Sequence, residues 1–378
     1  MHILIAPNAF KNSLSATAAA EAISKGLKKS KLEHTSECFP IGDGGDGTAD
    51  LLIKKFNGII VNAGVHDPSG RKIIASFGLI DGAQTAVIEL ASASGIKLLQ
   101  LHEHNPVKAT TFGTGELIKH ALNKNVTKII LCIGGSATVD GGTGILNALG
   151  VWFKDAIGNI INPLPEYLSS LDVIDLSSID KRILNVQLVV LCDVKNTLLG
   201  ETGAAKIFGP QKGANASDVI TLEHGLTKLR DVVFEATGKD MALTKHGGAA
   251  GGVAAGLSAL LNSKLVHGIE YFLDITGFNN SLQNADLLIT GEGSIDAQTL
   301  EGKAPFGVAY RAKEKGIHVI GMAGKVPEKT DRRLHQYFDE LLAINNEDAS
   351  LDEALKNTYA NLVRTANELG KILAVKKL

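Results

Sequence analysis

One stretch of small residues between an apolar run and a helix-forming run constrains the fold of this chain more than any other. Residues 129–142, IILCIGGSATVDGG, pass from β-branched apolar residues into glycines, two hydroxyls and a carboxylate. The apolar part predicts a buried strand. Glycines at the carboxyl end of a parallel strand let backbone N–H groups approach an anion, and residues 144–149 can begin a helix that faces it. The stretch therefore predicts a phosphate-binding loop or, equally, a tight turn whose glycines serve packing.

The order of strand, loop and helix recurs near both ends of the chain. Residues 3–6 and 37–41 are short apolar runs followed by loops and helical patterns, and residues 284–296 pass from an apolar run into Gly291, Gly293 and Ser294. Right-handed crossovers between parallel strands place such loops at one edge of a sheet. Neither end contains a complete sheet alone. We therefore predict that residues 1–80 and 283–378 form one α/β domain and that residues 81–282 are inserted as a second α/β domain facing it across a cleft.

Composition excludes two classes of partner. The chain has 378 residues, a formal net charge of −2 and 21% charged residues, so it lacks the basic field that nucleic acid or an anionic membrane would need. Its three cysteines show neither metal-ligand spacing nor a disulfide framework, and Met1 leads directly into a strand-like run without a targeting segment. These features predict a cytoplasmic protein with a small-molecule substrate and leave a homo-oligomer open.

A second glycine-rich loop carries two acids. Residues 42–48, GDGGDGT, formally match the dinucleotide fingerprint G-x-G-x-x-G, which keeps an NAD-binding hydroxy-acid or sugar-acid protein as an alternative interpretation. Asp43 and Asp46 would, however, bring two negative charges against a pyrophosphate. They suit a metal ion or the hydroxyl of a sugar-like substrate better.

Eight motifs along nearly the full length resemble one family. In order they are APNAFKNSLSA, PIGDGGDGT, TTFGTGELI, IGGSATVDGG, LCDVKN, IFGPQKGA, GAAGGVAAGL and ITGEGSIDAQTLEGKAP, and the chain is similar in all of them to type I glycerate kinases. The resemblance implies ATP-dependent phosphorylation of D-glycerate, usually to 2-phosphoglycerate, with Mg²⁺ as the metal. It also implies a flavodoxin-like domain made from both chain ends and an inserted mixed α/β domain.

The departures from the family pattern are local. Asn8-Ala9 stands where the family commonly has Asp-Ser, Asp46 where it commonly has Glu, and Ser294 where it commonly has Arg. These differences leave a related small hydroxy acid open as the substrate.

Phosphoryl transfer needs charge stabilisation and a proton acceptor, which suggests roles for the matching residues. We predict that anions are held by the lysines and by backbone groups of the glycine loops, namely Lys11, Lys212, Lys303, Gly134, Gly135, Ser136, Gly291, Gly293 and Ser294. Asp43 and Asp46 are predicted to bind substrate. Asp193 ends a buried strand and is predicted to be the base, with Asp296 as its metal or phosphate partner.

Overall fold

The computed structural model describes residues 1–327, 331–345 and 350–376. Over these residues its strands are β1 (His2–Pro7), β2 (Thr35–Cys38), β3 (Ile59–His66), β4 (Lys72–Ile80), β5 (Thr85–Glu89), β6 (Lys128–Cys132), β7 (Trp152–Lys154), β8 (Val173–Asp175), β9 (Gln187–Cys192), β10 (Lys264–His267), β11 (Leu287–Ser294), β12 (His318–Lys325) and β13 (Glu340–Ala343).

The helices over the same ranges are α1 (Ala16–Lys29), α2 (Thr48–Lys55), α3 (Ala91–Ser94), α4 (Phe112–Leu122), α5 (Thr143–Ala148), α6 (Ala204–Phe208), α7 (Ala216–Thr237), α8 (Val253–Leu261), α9 (Gly268–Ile275), α10 (Phe278–Gln283), α11 (Ala304–Glu314) and α12 (Leu351–Lys376). None of these described helices is both long and apolar enough to cross a membrane.

The chain divides into two compact units, and the first is discontinuous. It comprises Met1–Asp43 and Ile269–Leu378. Its sheet has the order β13-β12-β11-β1-β2, and every neighbouring pair is parallel. Numbered along the chain within this sheet, the order is 2-1-3-4-5, which is the flavodoxin-like arrangement. The predicted flavodoxin-like sheet built from both chain ends is thus confirmed.

Helix α1 shows how local sequence builds the outer layer of this unit. The Ser15 side chain accepts a hydrogen bond from the Ala18 N–H at 3.2 Å and so caps the first turn, while Lys28 and Lys29 lie near the negative end of the helix dipole. Gly26 allows α12 to pack closely, because a Cβ there would lie 2.4 Å from the Val363 carbonyl oxygen. The two chain ends therefore share one apolar core.

The second unit, Gly44–Gly268, is continuous and has a mixed sheet. Its order is β10-β9-β6-β5-β4-β3, in which β10, β9, β6 and β5 are mutually parallel and β4 and β3 form an antiparallel extension. Strands β6 and β9 are almost wholly buried, as expected for parallel strands covered on both faces. Strands β7 and β8 form a separate antiparallel pair. The predicted mixed α/β insert is confirmed.

The boundaries between the units differ from the predicted ones at residues 80/81 and 282/283. The first division falls at Asp43/Gly44 because the β3–β4 hairpin pairs with β5, with Gly78 opposite Val87, and so belongs to the insert. The second falls at Gly268/Ile269 because α10 packs on the first unit, where the Phe39 and Phe278 rings lie 5.2 Å apart. Sequence patterns show that strands exist but not which neighbour each strand pairs with.

Candidate active site

The first cluster of candidate residues lies where the strand order of the discontinuous unit reverses. Ligands of open α/β sheets bind outside the carboxyl ends of the strands at such a point, which here lies between β1 and β11. Asn8 and Lys11 follow β1, and Glu292 and Ser294 end β11. We call the set Asn8, Lys11, Asp43, Glu292, Asp296 and Lys303 the switch-point cluster. Predicted residues Lys11, Asp43, Ser294, Asp296 and Lys303 all belong to this one unit.

Asn8 orients Asp43 within the cluster. The Asn8 side chain is 8% exposed, and its Nδ2 donates to Asp43 Oδ2 at 3.0 Å while its Oδ1 accepts from the Ala9 N–H at 2.8 Å. The Asn8 backbone N–H donates to the Gly291 carbonyl at 2.8 Å, which fixes the loop to the end of β11. An asparagine at this position thus gives Asp43 a hydrogen-bond donor.

Asp296 has a structural role beside its predicted chemical one. Its carboxylate accepts from the Gln298 N–H at 2.9 Å and from the Ser294 hydroxyl at 3.2 Å, which caps the short turn at Ala297–Glu301. That turn leads to Lys303, the residue just before α11. Within the described residues no three His, Cys, Asp or Glu side chains are arranged to hold a metal ion. Asp43 and Asp296 are nevertheless the oxygen donors that suit Mg²⁺ carried by a nucleotide.

The two glycines of this loop differ in purpose. A Cβ at Gly291 would lie 2.0 Å from the Met322 carbonyl oxygen, so Gly291 serves the packing of β11 against β12. Gly293 is exposed, and the nearest atom to a Cβ there is the Lys11 backbone nitrogen at 3.9 Å. Gly293 is therefore the residue of the pair that leaves room for a ligand.

Glu292, between these glycines, was missed by the sequence analysis. Burial raises the pKa of its carboxyl to about 7; the charges of Asp43 and Asp296 also raise it, and Lys303 and Lys11 lower it. The signal was present in the motif TGEGS, where a charged residue ends an apolar strand at a sheet edge. The prediction instead placed phosphate binding on the flanking residues Gly291 and Gly293.

The second cluster lies in the inserted unit and centres on Lys212. Its ammonium donates to Ser136 Oγ and to the Thr138 carbonyl, each at 2.7 Å, and the residue is only 5% exposed. Burial lowers the pKa of Lys212 to about 7, although Asp140 opposes this shift. Lys212 was predicted to extend from a turn towards a substrate anion. It instead holds the loop that contains Ser136.

Asp140 is completely buried, and its hydrogen bonds also hold the loop that contains Ser136. Its carboxylate accepts from the Thr111 N–H at 2.8 Å, the Thr111 hydroxyl at 2.7 Å and the Gly142 N–H at 3.0 Å. Burial raises the pKa of Asp140, whereas these hydrogen bonds act to lower it. Asp140 is thus a structural anchor between the loop and α4.

The predicted anion-binding groups of this loop are not equivalent. The Gly134 N–H donates to the Gly44 carbonyl at 3.0 Å, so it is not available to a phosphate. Among the described residues, no partner is found for the N–H groups of Gly135 and Ser136. Gly135 has φ +71°, and a Cβ there would lie 2.3 Å from Asp46 Oδ1. Two of the three predicted amides thus remain candidates.

The loop at residues 42–48 does not have the geometry of a dinucleotide-binding turn. Its chain crosses the boundary at Asp43/Gly44 instead of joining a strand and a helix of one sheet. Glu89 accepts hydrogen bonds from the Ala49 N–H at 2.9 Å and from the Gly47 N–H, so a carboxylate already occupies the start of α2. Asp46 pairs with Lys97 at 2.5 Å. The arrangement argues against the NAD-binding alternative and gives Asp46 a partner other than substrate.

Asp193 follows β9 in the inserted unit and is exposed. The segment after it is held in place, because His246 Nδ1 hydrogen-bonds to the Val194 carbonyl at 2.6 Å and the Gly248 N–H donates to the Asn196 carbonyl at 3.0 Å. Asp193 and Asp296 therefore belong to different units. Their joint assignment as base and metal partner stays a prediction.

Comparisons with known proteins agree over the full length of the chain. Residues 3–374 match the model of the glycerate kinase family. The chain belongs to the glycerate kinase family. A glycerate kinase of Bacillus subtilis (strain 168) is 41% identical over 377 residues, covering 100% of this chain and 99% of that protein. A glycerate 2-kinase of Escherichia coli (strain K12) is 39% identical over 376 residues, covering 99% and 98%.

A solved structure supports the same membership. A crystal structure described as a glycerate kinase 2 from Salmonella typhimurium LT2 superposes with a TM-score of 0.84 at 39% identity and covers 100% of both chains. The resemblance drawn from eight sequence motifs is thus confirmed. The family consists of kinases, enzymes that phosphorylate a hydroxyl group.

Proposed function

We propose that this protein transfers the γ-phosphoryl group of ATP, bound with Mg²⁺, to a hydroxyl of D-glycerate and forms 2-phosphoglycerate. The observation that carries the proposal is the switch-point cluster, in which two lysines and three carboxyls meet at the sheet edge where this fold binds ligands. Membership of the glycerate kinase family supports the substrate. ATP as donor and three cysteines that form no disulfide, two of them buried, fit the cytoplasm.

The charges of the cluster suit the two anions of this reaction. Lys303 and Lys11 can neutralise the carboxylate of glycerate and the charge that develops on the transferring phosphoryl group. Asp43, held by Asn8, can accept a hydrogen bond from a substrate hydroxyl. Asp296 or Asp43 would hold Mg²⁺, which would neutralise negative charge on the phosphate groups.

In the inserted unit we propose that the Gly135 and Ser136 amides and the Ser136 hydroxyl bind phosphate. Lys212 donates to Ser136 Oγ, so the hydroxyl proton of Ser136 is left to donate elsewhere. The positive charge on Lys212 strengthens that donor. Lys212 is then a residue that supports an anion site from behind.

A direct assay tests the function and the product together. Purified protein is incubated with ATP, MgCl₂ and D-glycerate, and enolase is added to convert any 2-phosphoglycerate to an absorbing product. We expect a signal with enolase alone; a signal that appears only after a phosphoglycerate mutase is added would indicate 3-phosphoglycerate. NAD in place of ATP is the control for the alternative function. Phosphorylation of a panel of other short hydroxy acids but not of glycerate would refute the proposed substrate.

A further inference from the structure

We propose that Glu292 is a catalytic residue of the phosphoryl transfer, the base that accepts the proton of the acceptor hydroxyl. The proposal rests on the proposed function. Glu292 stands at the carboxyl end of β11, opposite Ala323 of β12, at the edge where β1 and β11 reverse the strand order. Its side chain is therefore placed on the structural element that most often carries ligand contacts in this fold.

The carboxylate of Glu292 keeps its acceptor sites for a ligand. Among the described residues its hydrogen-bond partner is the Thr299 hydroxyl, at a long 3.5 Å. Asp296, by contrast, already accepts from a backbone amide and a serine hydroxyl. Glu292 thus has free lone pairs where Asp296 has a capping role.

A second carboxyl in the protein offers an internal comparison. Burial raises the pKa of Glu89 to about 7, as it does for Glu292. The Glu89 carboxylate, however, accepts from two backbone amides at the start of α2. Burial raises both pKa values, but the Glu89 carboxylate accepts hydrogen bonds at the start of a helix, whereas the Glu292 carboxylate accepts only the long one from Thr299 among the described residues. This difference in contacts favours Glu292 as the residue that exchanges a proton.

The charged groups around Glu292 suit a base of moderate strength. The charges of Lys303 and Lys11 favour its ionised form and those of Asp43 and Asp296 disfavour it, so two positive and two negative groups act on it. A base works best when its pKa lies near the working pH, because it is then ionised before the reaction and still binds a proton well. Asp193, the base predicted from sequence, is exposed on another unit.

The step balances without a further reactant. The acceptor oxygen of glycerate forms a bond to the γ-phosphorus of ATP, and the bond from that phosphorus to the oxygen bridging to the β-phosphate breaks, its electron pair leaving with ADP. The hydroxyl proton passes to a Glu292 carboxylate oxygen, giving the neutral acid. The acid then returns the proton to water after products leave.

The test compares Glu292→Gln with Glu89→Gln in the full-length protein. Glutamine keeps the size of the side chain and removes its basicity. We expect Glu292→Gln to lower kcat by roughly two to four orders of magnitude, while ATP and D-glycerate bind within about threefold of the parent in calorimetry. The parent kcat/KM should rise with pH through an apparent pKa near 7, and residual Glu292→Gln activity should lack that rise. Glu89→Gln should keep it.

A shortened carboxylate, Glu292→Asp, is the conservative variant, and it should recover part of the lost kcat together with the pH dependence. Parental kcat in a folded Glu292→Gln protein would overturn the proposal and leave the proposed function intact. The proposal would also be overturned if kcat/KM no longer increased with pH in Glu89→Gln but still did so in Glu292→Gln. A parent protein inactive on glycerate would overturn the proposed function and this inference together.

Discussion

Lys212 carries an ammonium into a nearly closed site, where 5% of the residue is exposed. Burial disfavours the charged form and lowers its pKa to about 7 from an ordinary 10.5. Hydrogen bonds to two acceptors, Ser136 Oγ and the Thr138 carbonyl, offset part of the unfavourable free energy of burying the ammonium. The protonation state of Lys212 is therefore linked to the conformation of the loop that contains Ser136 and Thr138.

Lys212→Met should flatten the pH dependence of stability above neutrality. Between pH 7 and 10.5 the unfolded chain binds more protons at this lysine than the folded chain does, so the unfolding free energy of the parent rises with pH. We expect the variant to lose about 1–2 kcal/mol of that rise between pH 7 and pH 9, measured by urea unfolding. Lys206→Met, at an exposed lysine of α6, is the control. Parallel curves for parent and Lys212→Met would contradict the prediction.

Lys303 tests the anion role of the switch-point cluster. Lys303→Ala should raise KM or lower kcat by roughly one to three orders of magnitude, because a charge that stabilises the transferring phosphoryl group is lost. Lys315→Ala removes an exposed lysine beyond the other end of α11 and should change neither constant. Steady-state kinetics of both variants with ATP and D-glycerate provide the measurement. If Lys303→Ala had the kcat and KM of the parent, Lys303 would have no role in binding these anions.

The sequence correctly placed Lys303 in a turn, just before α11, whereas it did not show which charged side chains are buried. Nothing in the string FGPQKGA shows that Lys212 turns inward, since that follows from the contacts of Ser136 and Thr138. Glu292 was missed for a related reason. Its raised pKa comes mainly from burial and also from the charge of Asp43, and both arise only when segments distant in sequence fold together.

At the scale of elements, glycines set how closely helices approach the loops. Helix α8 follows a run of small residues, and the Gly251 carbonyl accepts a hydrogen bond from the Gly141 N–H at 2.9 Å. Within α8, a Cβ at Gly256 would lie 2.0 Å from the Gly141 carbonyl oxygen. The helix is therefore in backbone contact with the loop that contains Asp140.

Gly256→Ala should destabilise the protein by about 1–3 kcal/mol, the usual cost of overpacking a close contact. Gly64→Ala is the matched control, because Gly64 lies exposed in β3 and no atom stands within 4 Å of the added methyl group. Its effect should stay within about 0.5 kcal/mol. Chemical unfolding of both variants provides the measurement, and equal stability of the two would show that α8 can shift at no cost.

The elements themselves were easier to predict than their partners. The apolar runs at β6 and β9 identified buried strands, and Ser15 identified the start of α1. The hairpin of β3 and β4 was assigned to the wrong unit, because its alternating pattern fits an edge of either sheet. Pairing with β5 is a contact between strands, and no local pattern encodes it.

At the scale of the whole molecule, each unit has its own apolar core. The buried residues of the insert's core cluster run from Ala63 to Leu261, and those of the discontinuous unit from Ile3–Leu27 and Leu287–Leu373. The chain enters the insert after Asp43 and leaves it at Gly268. The insert is therefore continuous in sequence and complete in its sheet.

A protein consisting of residues 44–268 should fold without the rest of the chain, because its sheet and core need no residue outside it. We expect a cooperative thermal transition by circular dichroism. The fragment 1–43 should remain unfolded, since β1 then lacks β11 and α1 lacks α12. A non-cooperative transition in the fragment 44–268 would contradict the prediction.

The parallel pairing of β1 with β11 joins residues 284 positions apart, as in the bond from the Thr290 hydroxyl to the Ala6 carbonyl. Ribosomes add about 5–20 residues per second, so the first strand made waits roughly 15–60 s for its neighbour. One edge of this apolar strand stays open for that time, while the insert is already emerging. The order of synthesis thus leaves the nascent chain with an unpaired apolar strand edge, the kind of surface that promotes aggregation during folding.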